Sequence, residues 1–130
     1  MIHKPPMLLV DAVLEENEKS GKTVFAVKND CIFLDENGVL ARPALVEIAA
    51  QSFAAIDIYQ KMLNGKKPSK GFLVSIRNFE FYEDVKAGDE IICALEETNE
   101  LAGIHVIEAR LYKSADITAK GELRIFELPE

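Results

Sequence analysis

Apolar residues recur at helical spacing from Pro43 to Asn64, and that stretch predicts the one long helix of the chain. Leu45, Ile48, Ala49, Ser52, Ile56, Tyr59 and Leu63 form the stripe that should meet a core. Pro43 suits a first turn, where its missing N–H has no intrahelical partner to lose, and Asn64-Gly65 supplies the stop. Val46, Ala50, Phe53, Ala54 and Ala55 make the first half apolar or small almost all round, so other structure should surround it. Into that half the sequence sets two polar residues one turn apart on one face, Glu47 and Gln51. A carboxylate there must be satisfied or put to use, because burying it unpaired is costly.

Elsewhere the period is that of strands. Met7 to Leu14 reads as a short apolar strand, residues 15–21 as a turn, and Lys22 to Lys28 as a second strand. Asn29 to Arg42 has no steady period and is expected to be a loop leading into the helix. After the helix, residues 65–71 form a basic linker. Four strands follow: Phe72 to Tyr82, with a phase shift near Arg77-Asn78-Phe79 that suggests a bulge; Glu90 to Thr98; Ile104 to Tyr112; and a last one. In the third of these His105, Ile107, Ala109 and Leu111 share a face. In the last, Ile117, Ala119, Gly121, Leu123 and Ile125 should point inward, with Thr118, Lys120, Glu122 and Arg124 outward. Short turns make consecutive strands antiparallel neighbours. The expected class is therefore α+β, a curved antiparallel sheet wrapped around one long helix in a single domain over residues 1–130. Such a sheet leaves an edge and part of its helix uncovered, which calls for a dimer.

Composition narrows the partners. The net charge of −7 opposes nucleic-acid and anionic-membrane binding, which need basic surface. No apolar run would span a bilayer, and Pro5-Pro6 interrupts the start where a signal peptide needs a longer apolar run, so a cytoplasmic protein is expected. Cys31 and Cys93 are far apart and only two histidines exist, so no Cys/His metal site is expected, and no cofactor; both thiols should be reduced and buried.

Three stretches resemble one family. His3-Lys4-Pro5-Pro6-Met7-Leu8-Leu9-Val10-Asp11, Leu45-Val46-Glu47-Ile48-Ala49-Ala50-Gln51, and Gly71 to Phe81 followed by Val85-Lys86-Ala87-Gly88-Asp89 are similar, in order, to the motifs of the hot-dog (3R)-hydroxyacyl-acyl carrier protein dehydratases. The resemblance implies that Glu47 holds the catalytic carboxylate position and Gln51 the glutamine after it. It also implies that the helix start aims backbone N–H groups and a positive dipole end at a thioester carbonyl, with Arg42, Pro43 and Ala44 beside the substrate. In that family a loop histidine removes the α-proton while the carboxylate assists loss of the β-hydroxyl. Here that histidine position, counted back from Glu47 without a gap, falls on Phe33, which cannot move a proton but can still line the substrate site. Ala41-Arg42 replaces the family's Pro-Gly before the helix. His3 is expected to be structural, and His105 a satisfied histidine near the core rim.

Three functions follow. The first is a dehydratase acting on 3-hydroxyacyl thioesters of acyl carrier protein in fatty acid or polyene synthesis, with Glu47 as general acid/base. The second is an impaired homologue that binds carrier protein or dimerises with an active paralogue. The third is an acyl thioesterase of the same fold, whose carboxylate activates water. Lys61, Lys66, Lys67 and Lys70 would offer an acidic carrier protein a positive patch, although a solvated loop explains them as well.

Overall fold

The structure is a computed structural model that describes residues 8–67 and 71–128. His3 and the prolines of the opening motif, and Lys70, lie outside the described residues. The element order is β1 (Ala12–Asn17), β2 (Ser20–Ala26), α1 (Arg42–Leu63), β3 (Gly71–Phe81), β4 (Glu90–Leu101), β5 (Ile104–Lys113) and β6 (Asp116–Glu127). Helix and strand order agree with the periodicity. The first strand starts later than expected, at Ala12, because Leu8 to Asp11 is held instead by single bonds: Asp11 N–H donates to Val24 O at 2.8 Å, and Leu9 N–H donates to the helix.

All pairings are antiparallel, in the order β1-β2-β4-β5-β6-β3. The expectation that β3 and β4 are neighbours fails. Between them the segment from Val85 to Asp89 docks on the chain before the helix: Leu40 N–H donates to Val85 O at 2.7 Å, Ala87 N–H to Gly38 O at 2.9 Å, and Gly88 N–H to Val27 O at 2.8 Å. These anchors carry the chain from one edge of the sheet to its interior.

The helix touches β1 and β3, the two edge strands, as well as β2, β4 and β5. One straight rod can meet both edges of a six-stranded sheet only if the sheet curves around it. Leu45, Ile48, Ala49 and Ile56 pack there on Phe25, Ile91, Cys93, Ile107 and Leu111, all buried. The stripe ends sooner than its spacing suggests, since Tyr59 and Leu63 are 45% and 61% exposed. Inside the core Thr23 and Ser52 share a 2.6 Å hydroxyl hydrogen bond, which lets two buried polar groups satisfy each other.

Bulges reset the pattern in two strands. The β3–β6 register shifts between Arg77 and Glu80, where Asn78 takes a φ of 54°, as the sequence suggested. The β5–β6 register shifts between Leu111 and Tyr112, and this turns Thr118 inward: it is fully buried and its hydroxyl donates to Leu111 O at 3.2 Å. Beyond its bond to β6, the edge of β3 is open, and Phe72, Leu73, Val74 and Ile76 stand about half exposed on both sides of its pleat.

Of the two cysteines, Cys31 is half-buried and Cys93 is fully buried. Burial pushes the Cys93 thiol from 9.0 up to about 12, against a lowering hydrogen bond with Ser52. Two results are expected. A thiol reagent at pH 8 labels Cys31 in the folded protein and Cys93 only after denaturation. Above pH 9 an unfolded Cys93 ionises while the folded one does not, so the unfolded state sheds protons first and stability falls with rising pH. The slope approaches about 1.4 kcal/mol per pH unit until the folded thiol ionises near 12. Urea melts of Cys93→Ala, compared with the parent between pH 8 and 11, should lack that component.

Candidate functional site: two grooves along one helix

The helix opens without a side-chain cap. Ala41 is its N-cap residue, extended at φ −60° and ψ 134°, and the first turn carries no acidic residue. Leu34 and Leu40 bridge, and Asp35 Oδ1 accepts from Asn37 N–H and Val39 N–H, so the loop before the helix closes on itself. Phe33 is half-buried against the core, and its carbonyl accepts Ala41 N–H at 2.9 Å. Ala44 is buried, whereas Arg42 and Pro43 are exposed. The Arg42 guanidinium lies over the Phe81 ring, 5.5 Å from its centroid, and 4.0 Å from Asp84 Oδ1. Both charges are more than half exposed, so that ion pair adds little stability. Phe33 and Ala44 thus pack into the core at the helix start, with Arg42 and Pro43 on its surface, and none of the four lines the groove that holds Glu47.

Glu47 and Gln51 share a groove of about 200 Å³ between the helix and the β3–β6 edge, with Phe53, Leu73 and Ile125 among its walls. Their roles there differ. Gln51 is buried, and its Oε1 accepts the N–H of fully buried Leu9 at 2.7 Å, so it pins the chain before β1 to the helix. Glu47 is half-buried in the groove. Gln51→Leu should leave the Leu9 N–H buried without that acceptor and cost about 1–3 kcal/mol in urea unfolding. Faster hydrogen exchange at Leu9 would accompany it.

A second cavity, of about 320 Å³, lies further along the helix and has Phe53 and Asp57 in common with the first. Four of its polar residues, Glu97, His105, Glu127 and Asp57, join through Lys61 into one network. His105 Nδ1 is 2.6 Å from Glu97 Oε1 and its Nε2 is 3.2 Å from Glu127 Oε1; Lys61 Nζ donates to Glu127 and, at 2.8 Å, to Asp57. Burial, and then the nearby Glu127 charge, hold the Asp57 carboxyl above the usual range against the pull of Lys61. For Lys61 burial works to lower the ammonium's affinity for its proton, yet its hydrogen bonds to Asp57 and Glu127 outweigh that and raise it. His105 is therefore the satisfied rim histidine expected. Lys61 faces this network, and that removes it from the positive patch the sequence suggested.

Glu100 joins the same wall, which the periodicity concealed because the strand was expected to end at Thr98 and in fact runs to Leu101. A register shift between Glu97 and Asn99 puts Glu97 opposite Ile107 and Glu100 opposite His105, hence on one face.

A curved six-stranded antiparallel sheet around one long helix, with the helix carboxylate in a groove at the sheet edge, is the hot-dog fold. Solved structures share it at low sequence identity. The dehydratase heterocomplex ApeI:P from Xenorhabdus doucetiae superposes with a TM-score of 0.89 at 16% identity, covering 98% of this chain and 88% of that one. A hypothetical thioesterase with coenzyme A from Streptococcus pneumoniae gives 0.74 at 12%, covering 92% and 89%. The sequence profile of the ApeP-like family, described as ApeP dehydratase, matches residues 1–130, and the chain belongs to that family. Among curated proteins it is 28% identical over 109 residues to the 3-hydroxyacyl-acyl-carrier-protein dehydratase FabZ of Nitrosomonas europaea, covering 78% of this chain and 70% of that one. It is 25% identical over 136 residues to an uncharacterized thioester dehydrase of Halalkalibacterium halodurans, covering 100% and 85%. Among the described residues no helix is long and apolar enough to cross a membrane.

Proposed function

We propose that the chain is a dehydratase subunit for 3-hydroxyacyl thioesters carried on acyl carrier protein, with Glu47 as the general acid and a second hot-dog subunit completing the site. The observation that carries this reading is Glu47 itself, a half-buried carboxylate in an apolar groove at the open edge of the sheet. In dehydration a base takes the proton on the carbon next to the thioester carbonyl. The electron pair left behind forms the carbon–carbon double bond, and the β-hydroxyl departs with a proton from Glu47, as water. The helix start, with no acidic residue in its first turn, turns a positive dipole end toward the charge that develops on the carbonyl oxygen. Phe33 and Ala44 pack the helix start against the core, and Gln51 fixes the segment before β1 to the helix.

Phe33 at the histidine position leaves the chain short of a base, and the half-exposed apolar strand β3 offers a place for another subunit to supply one. A hot-dog dehydratase heterocomplex of the same fold supports a paralogue in that role, and a second copy of this chain is the alternative occupant. The thioesterase reading has the same carboxylate activating water instead. The test is the purified chain, alone and mixed with a histidine-bearing dehydratase homologue, given 3-hydroxyacyl and acyl thioesters. Enoyl thioester is expected to form in the mixture faster than with the homologue alone, with co-elution of the two chains. Release of free thiol would favour hydrolysis. A mixture that neither associates nor exceeds the homologue's own rate would overturn the proposal.

A further inference from the structure

We infer that Glu97, Glu100 and His105 form a binding site for one divalent transition-metal ion at the second cavity, a site separate from the groove of Glu47. One ligand atom from each of the three lies within 4.8 Å of the others, close enough for small side-chain rotations to bring all three onto one ion. The backbone is built for this convergence. Without the one-residue bulge after Glu97, Glu100 would face the opposite side of β4. With it, Glu100 stands directly across from His105, and Glu97 lies on the same face.

The imidazole is also oriented for ligation from outside this trio. Its Nε2 lies 3.2 Å from Glu127 Oε1, and Glu127 is in turn held by Lys61. A carboxylate on the far ring nitrogen is the support that metal-bound histidines use: it fixes the tautomer and raises the basicity of the nitrogen facing the ion. Its Nδ1 faces Glu97 Oε1, 2.6 Å away, so the other ring nitrogen is already directed at a second member of the trio. The carboxylates of Glu97, Glu100, Glu127 and Asp57 line the same cavity, with Lys19 on its wall and Lys61 bonded to Glu127 and Asp57. A nitrogen donor selects zinc, cobalt or nickel over calcium or magnesium, which prefer oxygen alone. Three protein ligands would leave further coordination positions facing the cavity of about 320 Å³, walled by Phe53, Ile56, Leu95 and Ile107.

The experiment uses the full chain, stripped with chelator and then titrated with Zn²⁺ by calorimetry and with Co²⁺ by visible absorption. One equivalent is expected to bind. Glu100→Gln, at an exposed position and so compatible with an intact fold, should weaken it at least tenfold, and His105→Gln should abolish it. Glu127→Gln should weaken it by about 10–100-fold through the orientation of the ring. Cys31→Ser and His3→Gln, at other candidate metal ligands, should leave it unchanged. Absence of saturable binding in the parent chain, or equal binding in Glu100→Gln and His105→Gln, would overturn the inference. None of these readouts depends on thioester turnover, so they stand apart from the dehydratase reading.

Discussion

Gly121→Ala is expected to destabilise the protein by about 3 kcal/mol, seen as a lower urea midpoint at unchanged slope. Gly121 lies in β6 opposite Ala109, and Phe79 crosses directly over it from the bulge in β3. A Cβ built there would stand 2.2 Å from Phe79 Cδ2 and 2.7 Å from Phe79 Cα. A ring can turn aside, but a Cα moves only with its strand, so the methyl group would push β3 away from β6 through the very segment where the register already shifts. Gly71→Ala is the control. Its Cβ would meet the Ile125 Cγ2 methyl at 3.3 Å, a contact that a few tenths of an ångström relieve, and its cost should stay within about 1 kcal/mol. Equal midpoints for the two variants would mean that the Phe79 crossing does not constrain the fold.

Glu47→Gln is expected to lower dehydration by the assembled enzyme by about 10²- to 10⁴-fold, the usual worth of a positioned proton donor. The carboxamide keeps the shape of the side chain and its capacity to hydrogen-bond, but it cannot deliver a proton to a departing hydroxyl. Folding and association should therefore survive, with stability changed by no more than about 1 kcal/mol and the thioester KM changed far less than kcat. A rate unchanged by this substitution would remove Glu47 from the chemistry and leave the groove as a binding surface. The pair Glu47→Gln and Gln51→Leu separates the two polar residues: the first should act on rate, the second on the Leu9 tether.

The helix was legible because apolar residues at a period of 3.6 have no other use over that length, and polar Glu47 and Gln51 stood out against them. That Gln51 serves a backbone N–H while Glu47 faces a groove was not legible, since it depends on where the segment around Leu9 crosses the helix. The other motif residues prove to be fasteners. Asp11 Oδ2 accepts Ala26 N–H at 2.7 Å, and the turn containing Gly88, at φ 96°, closes through Lys86 N–H onto Asp89 Oδ2 before docking beside the loop. Strand adjacency was misread at β3 and β4 because a short connection implies neighbours only when it forms a hairpin, and this one binds elsewhere. Thr118 was misread as outward because a bulge interrupts the alternation of its strand. One inserted residue shifts the assignment locally, and the sequence marks it only where apolar residues change phase, as near Arg77-Asn78-Phe79.

The place of β3 in the sheet also bears on how the chain reaches its native state. β3 is made before β4 and β5, yet its partner β6 follows both. Until β6 emerges, β3 has unpaired backbone on both sides and a half-apolar surface, while β1, β2, β4 and β5 can already form their ladder. Closure around the helix is thus a late, high-contact-order event that must await synthesis of β6. Nascent or C-terminally truncated chains would carry the exposed strand that invites aggregation.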